Sequence, residues 1–85
     1  MHTKTVLVGS AIGLHARPAA IIAEAAVKAG IPVMLSVEGG EPVDAGSALM
    51  IMTLGAGNGA QITVASEDEA TVNTIAALVQ SNLDT

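Results

Sequence analysis

The 85-residue sequence predicts an α+β open-faced sandwich, in which three helices cover one face of a four-stranded antiparallel sheet. Two observations predict this fold. Apolar residues alternate with polar ones in strand segments and recur every three or four residues in helical segments. These segments follow one another in the order β-α-β-β-α-β-α. The strand segments lack the uninterrupted apolar runs of a sheet buried on both faces, so all helical stripes pack on one side. With no linker or repeat, we expect residues 1–85 to form a single domain.

The N-terminal part of the chain predicts a strand and then a helix. Over residues 3–8, β-branched residues alternate and place Val6 and Val8 on one face of a strand. A helix is predicted over residues 16–28, although Pro18 favours a start at Arg17 or at Pro18 itself. Gly30 ends it. Its apolar stripe comprises Ala19, Ile22, Ala23, Ala26 and Val27.

Two further strands follow. The first begins at Pro32 and has alternating aliphatic residues on one face, namely Val33, Leu35 and Val37. Gly39 and Gly40 predict a two-residue hairpin turn, after which residues 41–44 form a short strand. Because Pro42 has no backbone N–H, we expect this strand at the edge of the sheet.

A short helix and the fourth strand come next. The helix is predicted over residues 47–54, with Met50 directed inward and Met52 outward. The glycine-rich run at residues 55–59 precedes a strand, which is typical of a plain turn and not of a phosphate-binding loop. Ile62 and Val64 alternate with polar residues in the strand, over residues 61–65.

The last helix has the clearest start signal. Ser66, with Glu69 three residues later, forms a capping-box pattern, and the acidic residues between them suit a helix N-terminus. Its apolar stripe comprises Val72, Ile75, Ala76, Val79 and Leu83.

Composition excludes several classes of function. The net charge is −5, and Lys4, Arg17 and Lys28 are too few cations for the phosphate contacts of nucleic-acid binding. The chain has no aromatic ring to stack on bases and no Cys for disulfides or the common zinc sites. No apolar run reaches the roughly 20 residues of a membrane-spanning helix. We therefore expect a small cytoplasmic domain without nucleic-acid or membrane partners.

His15 is the strongest candidate for chemistry. It lies where a glycine-containing loop becomes a helix, whereas His2 lies in the N-terminal tail. The first turn of a helix offers unpaired N–H groups and a positive dipole end, which favour a bound anion and a neutral, nucleophilic imidazole. Arg17, the only Arg, has a planar fork suited to phosphoryl oxygens.

The surroundings of His15 favour holding a group over hydrolysing one. No Asp or Glu lies within residues 1–23 to act as an acid–base partner. From residue chemistry alone two interpretations stay open. His15 and Arg17 form a phosphoryl or anion site, or His15 caps the helix and Arg17 is a solvated surface residue.

Two blocks of the sequence resemble the HPr family, the histidine-containing phosphocarriers of the bacterial phosphoenolpyruvate:sugar phosphotransferase system. The segment at residues 13–19, Gly-Leu-His-Ala-Arg-Pro-Ala, is similar to the family's active-site signature. The segment at residues 47–55, Ser-Ala-Leu-Met-Ile-Met-Thr-Leu-Gly, is similar to its regulatory-serine segment. Chain length and element order also agree with the family.

The resemblance implies a carrier that is not itself an enzyme. His15 would accept a phosphoryl group on Nδ1 from phosphorylated enzyme I and pass it to the IIA domain of a sugar permease. Arg17 and the backbone N–H groups of Ala16 and Arg17 would contact that group, and neither cofactor nor metal would be needed. We expect a monomer, whose partners would bind a surface formed by Ala20, Ala48, Leu49 and Met52.

Ser47 aligns with the serine that an HPr kinase/phosphorylase modifies in many relatives, and it also suits the N-cap of the short helix. Gly46 stands where the family usually has a basic or amide residue, and Glu24 and Val27 replace cations of many relatives. Docking is therefore expected to depend more on apolar contact than on charge.

Two alternative functions remain. The first is a regulatory binding module of the same fold, which docks through the short helix without using His15. The second is a carrier in a nitrogen-related or fructose-specific branch of the system, which the motif does not distinguish from a carrier for general sugar uptake.

Overall fold

The computed structural model describes residues 1–82 and confirms the predicted fold and element order. Four strands form one antiparallel sheet, and three helices cover one of its faces. The elements are β1 (His2–Leu7), α1 (Ala16–Ala29), β2 (Val33–Val37), β3 (Val43–Asp44), α2 (Ala48–Thr53), β4 (Gln61–Ser66) and α3 (Glu69–Gln80).

The strand order in the sheet is β1-β4-β2-β3, with β4 paired to both β1 and β2. This order puts the C-terminal end of β1 and the N-terminal end of β4 side by side, with Leu7 opposite Gln61. The loops that follow β1 and precede β4 therefore meet at one end of the sheet. β3 lies at the other edge, as Pro42 predicted.

The core lies between the helices and the covered face of the sheet. Ile62 and Val64 of β4 and Leu35 of β2 are fully buried there, and Ile22 of α1 and Ile75 of α3 pack from the helical side. Burying one such side chain stabilises the fold by about 1.5–3 kcal/mol. On the opposite face, the hydroxyl oxygens of Thr5 and Thr63 lie 2.9 Å apart and hydrogen bond.

Two predictions about α1 are corrected. The helix begins at Ala16, before Pro18, because the Ala19 N–H donates to the His15 carbonyl at 2.9 Å and closes the first turn around the proline. Val27 is 65% exposed, although it was assigned to the apolar stripe. Pro18 is buried instead, so the buried stripe is rotated toward it and leaves Val27 on the exposed flank.

The hairpin between β2 and β3 differs from the predicted two-residue turn. The Gly40 N–H donates to the Val37 carbonyl at 3.0 Å, and Gly39, at φ +76°, supplies the left-handed position inside that turn. Pairing resumes only at Val43, since Pro42 has no N–H to extend the ladder.

The predicted capping box of α3 is also wrong. Ser66 is the last residue of β4, is buried, and its hydroxyl donates to the Pro32 carbonyl at 3.1 Å. Asp68 caps the helix instead, and its carboxylate accepts hydrogen bonds from the Thr71 N–H at 3.0 Å and the Thr71 hydroxyl at 2.7 Å. These bonds, the hydroxyl bond first, lower the pKa of the Asp68 carboxyl below its ordinary value. Leu83, assigned to the stripe of α3, lies outside the described residues.

In α2 the buried residue is Ile51, not Met50. Met50 is 41% exposed, so its predicted inward orientation is wrong, whereas Met52 is exposed as predicted. Ser47 is the N-cap of α2, and its hydroxyl oxygen accepts a hydrogen bond from the Met50 N–H at 3.3 Å.

Candidate functional site

His15 is the residue immediately before α1, at the end of the loop that follows β1. Its backbone is extended, with φ −105° and ψ −158°, and its carbonyl begins the hydrogen bonding of the helix. The imidazole is exposed and makes no capping hydrogen bond to the helix. Both ring nitrogens are therefore available to a group that approaches from solvent.

The first turn of α1 presents unused donors beside this ring. The first helical bond is donated by Ala19, so the N–H groups of Ala16 and Arg17 have no acceptor within the helix. Pro18 has no N–H and is buried against the core, which anchors this turn. The Arg17 side chain is exposed and forms no ion pair or hydrogen bond with any residue in the described part of the chain.

Carboxylates are absent from the segments that build this end of the molecule. Residues 1–23 and residues 45–66 contain no Asp or Glu. The loop after β1, the first turn of α1, α2 and the loop before β4 therefore carry no negative side chain, although the net charge of the chain is −5. An anion at His15 meets a positive helix end and Arg17, and these segments of the described chain add no carboxylate to repel it.

The loop that carries His15 is fixed by the segment that precedes β4. The Leu14 N–H donates to the Ala56 carbonyl at 2.9 Å, and the Leu14 side chain is buried. Gly13 has φ +90°, and a Cβ added there would lie 2.5 Å from the Ala56 oxygen. Only glycine allows the two segments to approach so closely.

Asn58 and the C-terminal end of α3 form hydrogen bonds with the first residues of the same loop. The Asn58 side-chain amide donates to the carbonyl of Ser10 at 3.1 Å and to that of Val8 at 3.4 Å. The Gly9 N–H donates to the Val79 carbonyl at 3.0 Å. Residues 55–59 do form a turn before a strand, as predicted, but sequence reasoning missed their contact with the His15 loop, because it joins segments more than forty residues apart.

The surface on one side of the imidazole is mostly apolar. A depression of about 240 Å³ beside His15 is lined by Ile12, Leu14, Met52 and residues 55–57. Met52 of the predicted partner surface thus adjoins His15. Ile12, which is 66% exposed, was not predicted, since its loop has no periodicity to define a face.

The other predicted surface residues lie on the two helices that pack against each other. Leu49 of α2 is 70% exposed, Ala48 is half-buried, and Ala20 of α1 is exposed. Ser47 is half-buried at the start of α2. A second depression, of about 510 Å³, lies between the C-terminal end of α1 and the start of β2 and contains none of the predicted site residues.

The described part of the chain shows neither a metal-binding cluster nor a membrane-spanning helix. Residues 1–82 contain no group of three or more His, Cys, Asp or Glu side chains arranged to hold a metal ion. Among the helices of these residues, none combines the length and the apolar character needed to cross a membrane.

Nearly the whole chain is similar to proteins of one family. The family model described as the PTS HPr component phosphorylation site matches residues 2–81. The chain is 42% identical over 87 residues to the phosphocarrier protein HPr of Streptomyces coelicolor, covering 99% of this chain and 94% of that protein.

Two crystal structures share the fold. HPr of Bacillus anthracis has a TM-score of 0.85 at 34% identity, covering 93% of this chain and 96% of the other. HPr-C-His of Thermoanaerobacter tengcongensis has a TM-score of 0.88 at 27% identity, covering 100% and 98%.

Proposed function

Because this chain belongs to the HPr family of phosphocarriers, we propose that His15 takes a phosphoryl group from phosphorylated enzyme I and passes it to a IIA domain. Phosphocarriers of this family serve the phosphotransferase system and are not themselves catalytic enzymes. The chain acts as a monomer in the cytoplasm, needs no cofactor, and contributes to sugar uptake through the permease that its IIA partner belongs to.

One observation carries this proposal, namely an exposed imidazole at the positive end of α1 without a capping hydrogen bond. The lone pair of Nδ1 attacks the phosphorus, and the bond from phosphorus to the donor atom of enzyme I breaks with its electron pair going to that atom. In the second step a nucleophile of the IIA domain attacks, and Nδ1 of His15 leaves with the pair. Each step conserves the phosphoryl group.

Arg17 and the first turn of α1 stabilise the transferred group. The N–H groups of Ala16 and Arg17 and the unpaired guanidinium are donors to phosphoryl oxygens. Hydrogen bonds to charged groups contribute about 1.5–3 kcal/mol each, so losing the guanidinium slows transfer without removing the nucleophile.

The absence of Asp and Glu from the segments that build the His15 end of the described chain suits storage of the group between transfers. A base positioned to take the proton of water speeds its attack on a phosphoryl group by about 10²–10⁴-fold. The segments around His15 carry no Asp or Glu. The phosphorylated chain therefore keeps the phosphoryl group until a partner supplies the nucleophile that accepts it.

Partners bind the apolar surface formed by Ala20, Ala48, Leu49 and Met52, of which Met52 lies beside His15. Glu24, at a position where many relatives have a cation, is held by Lys28 at 3.1 Å and adds no positive charge. Apolar burial accounts for most of the affinity, and Arg17 is the one cation close to His15 in the sequence.

Ser47 is a second modification site in this proposal, for an HPr kinase/phosphorylase. A phosphate there gains favourable electrostatics from the N-terminal end of α2 and adds about −1.5 to −2 charge beside the partner surface. Mass spectrometry of the protein from cells grown on abundant sugar is expected to detect an acid-stable phosphate on Ser47. Its absence under every growth condition contradicts this part of the proposal.

The proposal is tested by incubating the chain with enzyme I and radiolabelled phosphoenolpyruvate. Wild type is expected to gain an alkali-stable, acid-labile label, and His15→Ala none. His2→Ala is the matched control, because it removes the other imidazole and is expected to keep the label. An unlabelled wild type, or a labelled His15→Ala variant, overturns the assignment.

A further inference from the structure

We propose that Asn58 is a positioning residue that sets the conformation of the loop carrying His15. This inference rests on the proposed function of His15 and adds a residue that neither the signature segment nor the regulatory segment contains. Asn58 does not touch the transferred group. It acts through the backbone of the loop.

The contacts of Asn58 are with two carbonyls that flank Gly9. Its amide nitrogen donates to the Ser10 carbonyl at 3.1 Å and to the Val8 carbonyl at 3.4 Å. These residues are the first of the loop after β1. The side chain therefore fixes the place where the loop leaves the sheet.

The Ser10 carbonyl transmits this restraint toward the imidazole. The same oxygen accepts a hydrogen bond from the Gly13 N–H at 3.1 Å, which closes the turn at residues 10–13. Gly13 and Leu14 are then held against Ala56, and His15 follows directly. A displaced Ser10 carbonyl therefore displaces the turn on which the nucleophile depends.

The exposed imidazole makes this restraint consequential. It has no capping bond of its own, so its position depends on the backbone that carries it. Displacing a nucleophile by about 1 Å is enough to slow a reaction by up to about a hundredfold. We expect a smaller effect from losing Asn58, because the backbone bonds from Leu14 and Gly59 remain.

The chemistry of the contact predicts which Asn58 variant disturbs the loop more. Two carbonyl acceptors require an N–H donor, so Asn58→Ala loses the restraint and Asn58→Asp places a carboxylate against two oxygens of like polarity. If the side chain only filled space, the nearly isosteric Asp would behave like wild type and Ala would be the worse variant. Asn73→Ala is the matched control, since Asn73 is exposed on α3.

The test measures kcat and KM of enzyme I with each phosphocarrier variant as substrate, at a temperature where thermal unfolding curves show every variant folded. Asn58→Ala is expected to lower kcat about threefold to tenfold with KM within about twofold, Asn58→Asp to lower kcat further, and Asn73→Ala to change neither. The backbone amide NMR signals of Gly13, Leu14 and His15, and the imidazole signals of His15, are expected to shift in the Asn58 variants only.

Two results overturn the proposal. Unchanged kcat in Asn58→Asp shows that the contact is not used, and a raised KM with unchanged kcat shows that Asn58 belongs to the docking surface instead. If wild type accepts no phosphoryl group, the proposed function of His15 fails, whereas the NMR comparison still decides whether Asn58 sets the loop.

Discussion

Replacing Gly13 by Ala tests whether the close approach of two loops builds the site. Gly13 has φ +90°, and an added Cβ would lie 2.5 Å from the Ala56 oxygen and 2.9 Å from the Gly57 Cα. Both neighbours are backbone, so neither can rotate away. The Ala56 carbonyl must move, and its 2.9 Å hydrogen bond from Leu14 must stretch or break.

The expected cost has two parts. A left-handed backbone costs Ala about 1–2 kcal/mol, partly offset by about 0.4–1 kcal/mol from the less flexible unfolded chain. Loss of the Leu14 bond leaves a donor unsatisfied, which costs about 1–3 kcal/mol more. Gly13→Ala is therefore expected to lose about 2–4 kcal/mol. Gly39→Ala separates the two parts, because Gly39 has φ +76° with no atom within 4 Å of the added Cβ, and only about 1 kcal/mol is expected.

Denaturant unfolding of both variants measures these losses, and label transfer from enzyme I measures the site. Gly13→Ala is expected to be the less stable variant by about 1–3 kcal/mol and the only one that accepts phosphoryl slowly. Equal stability losses refute the close approach to Ala56. Normal phosphoryl acceptance in Gly13→Ala refutes the dependence of His15 on this loop geometry.

The remaining predictions concern α2 and α3. Ile51→Ala is expected to lose about 2–5 kcal/mol of unfolding free energy because Ile51 is fully buried. Leu49→Ala, two residues earlier in α2 and exposed, should keep stability and raise the KM of enzyme I. Equal losses of unfolding free energy in Ile51→Ala and Leu49→Ala, measured in denaturant, contradict the assignment of Ile51 to the core and Leu49 to the surface. The lowered pKa of Asp68 means that its cap on Thr71 stabilises the fold fully above the unfolded pKa of about 3.9 and is lost as pH falls through the lower folded value. The unfolding free energies of wild type and Asp68→Ala should therefore converge as pH falls from about 5 into strong acid, and a difference that stays constant with pH contradicts the cap.

The position of His15 at a helix start was predictable from local chemistry. A loop glycine, an internal histidine, the only arginine and a proline at the start of an apolar stripe indicate an anion site at a helix start, and the structure has His15 directly before α1. The strands were predictable for the same reason, since alternation records which face is buried.

Local patterns fail where a tertiary contact decides. Ser66 and Asp68 both suit an N-cap, and only the pairing of β4 and the bond from Ser66 to Pro32 show that Ser66 belongs to the strand. α2 has six residues, too few for a period to define its buried face, so Met50 was assigned in place of Ile51. Asn58 carries no local signal for its role, because its acceptors lie at the other end of the sequence.

The most direct test of the central claim determines which atom carries the phosphoryl group and whether that group moves on. The chain labelled with ¹⁵N in its imidazoles is phosphorylated by enzyme I and phosphoenolpyruvate, purified, and studied by ¹⁵N and ³¹P NMR before and after addition of a IIA domain. We predict a phosphorus–nitrogen coupling at Nδ1 of His15, which disappears as the phosphorus signal of the IIA domain grows. A coupling at His2, a phosphorus signal from a non-imidazole residue, or a phosphorylated His15 that never transfers to a IIA domain contradicts the account.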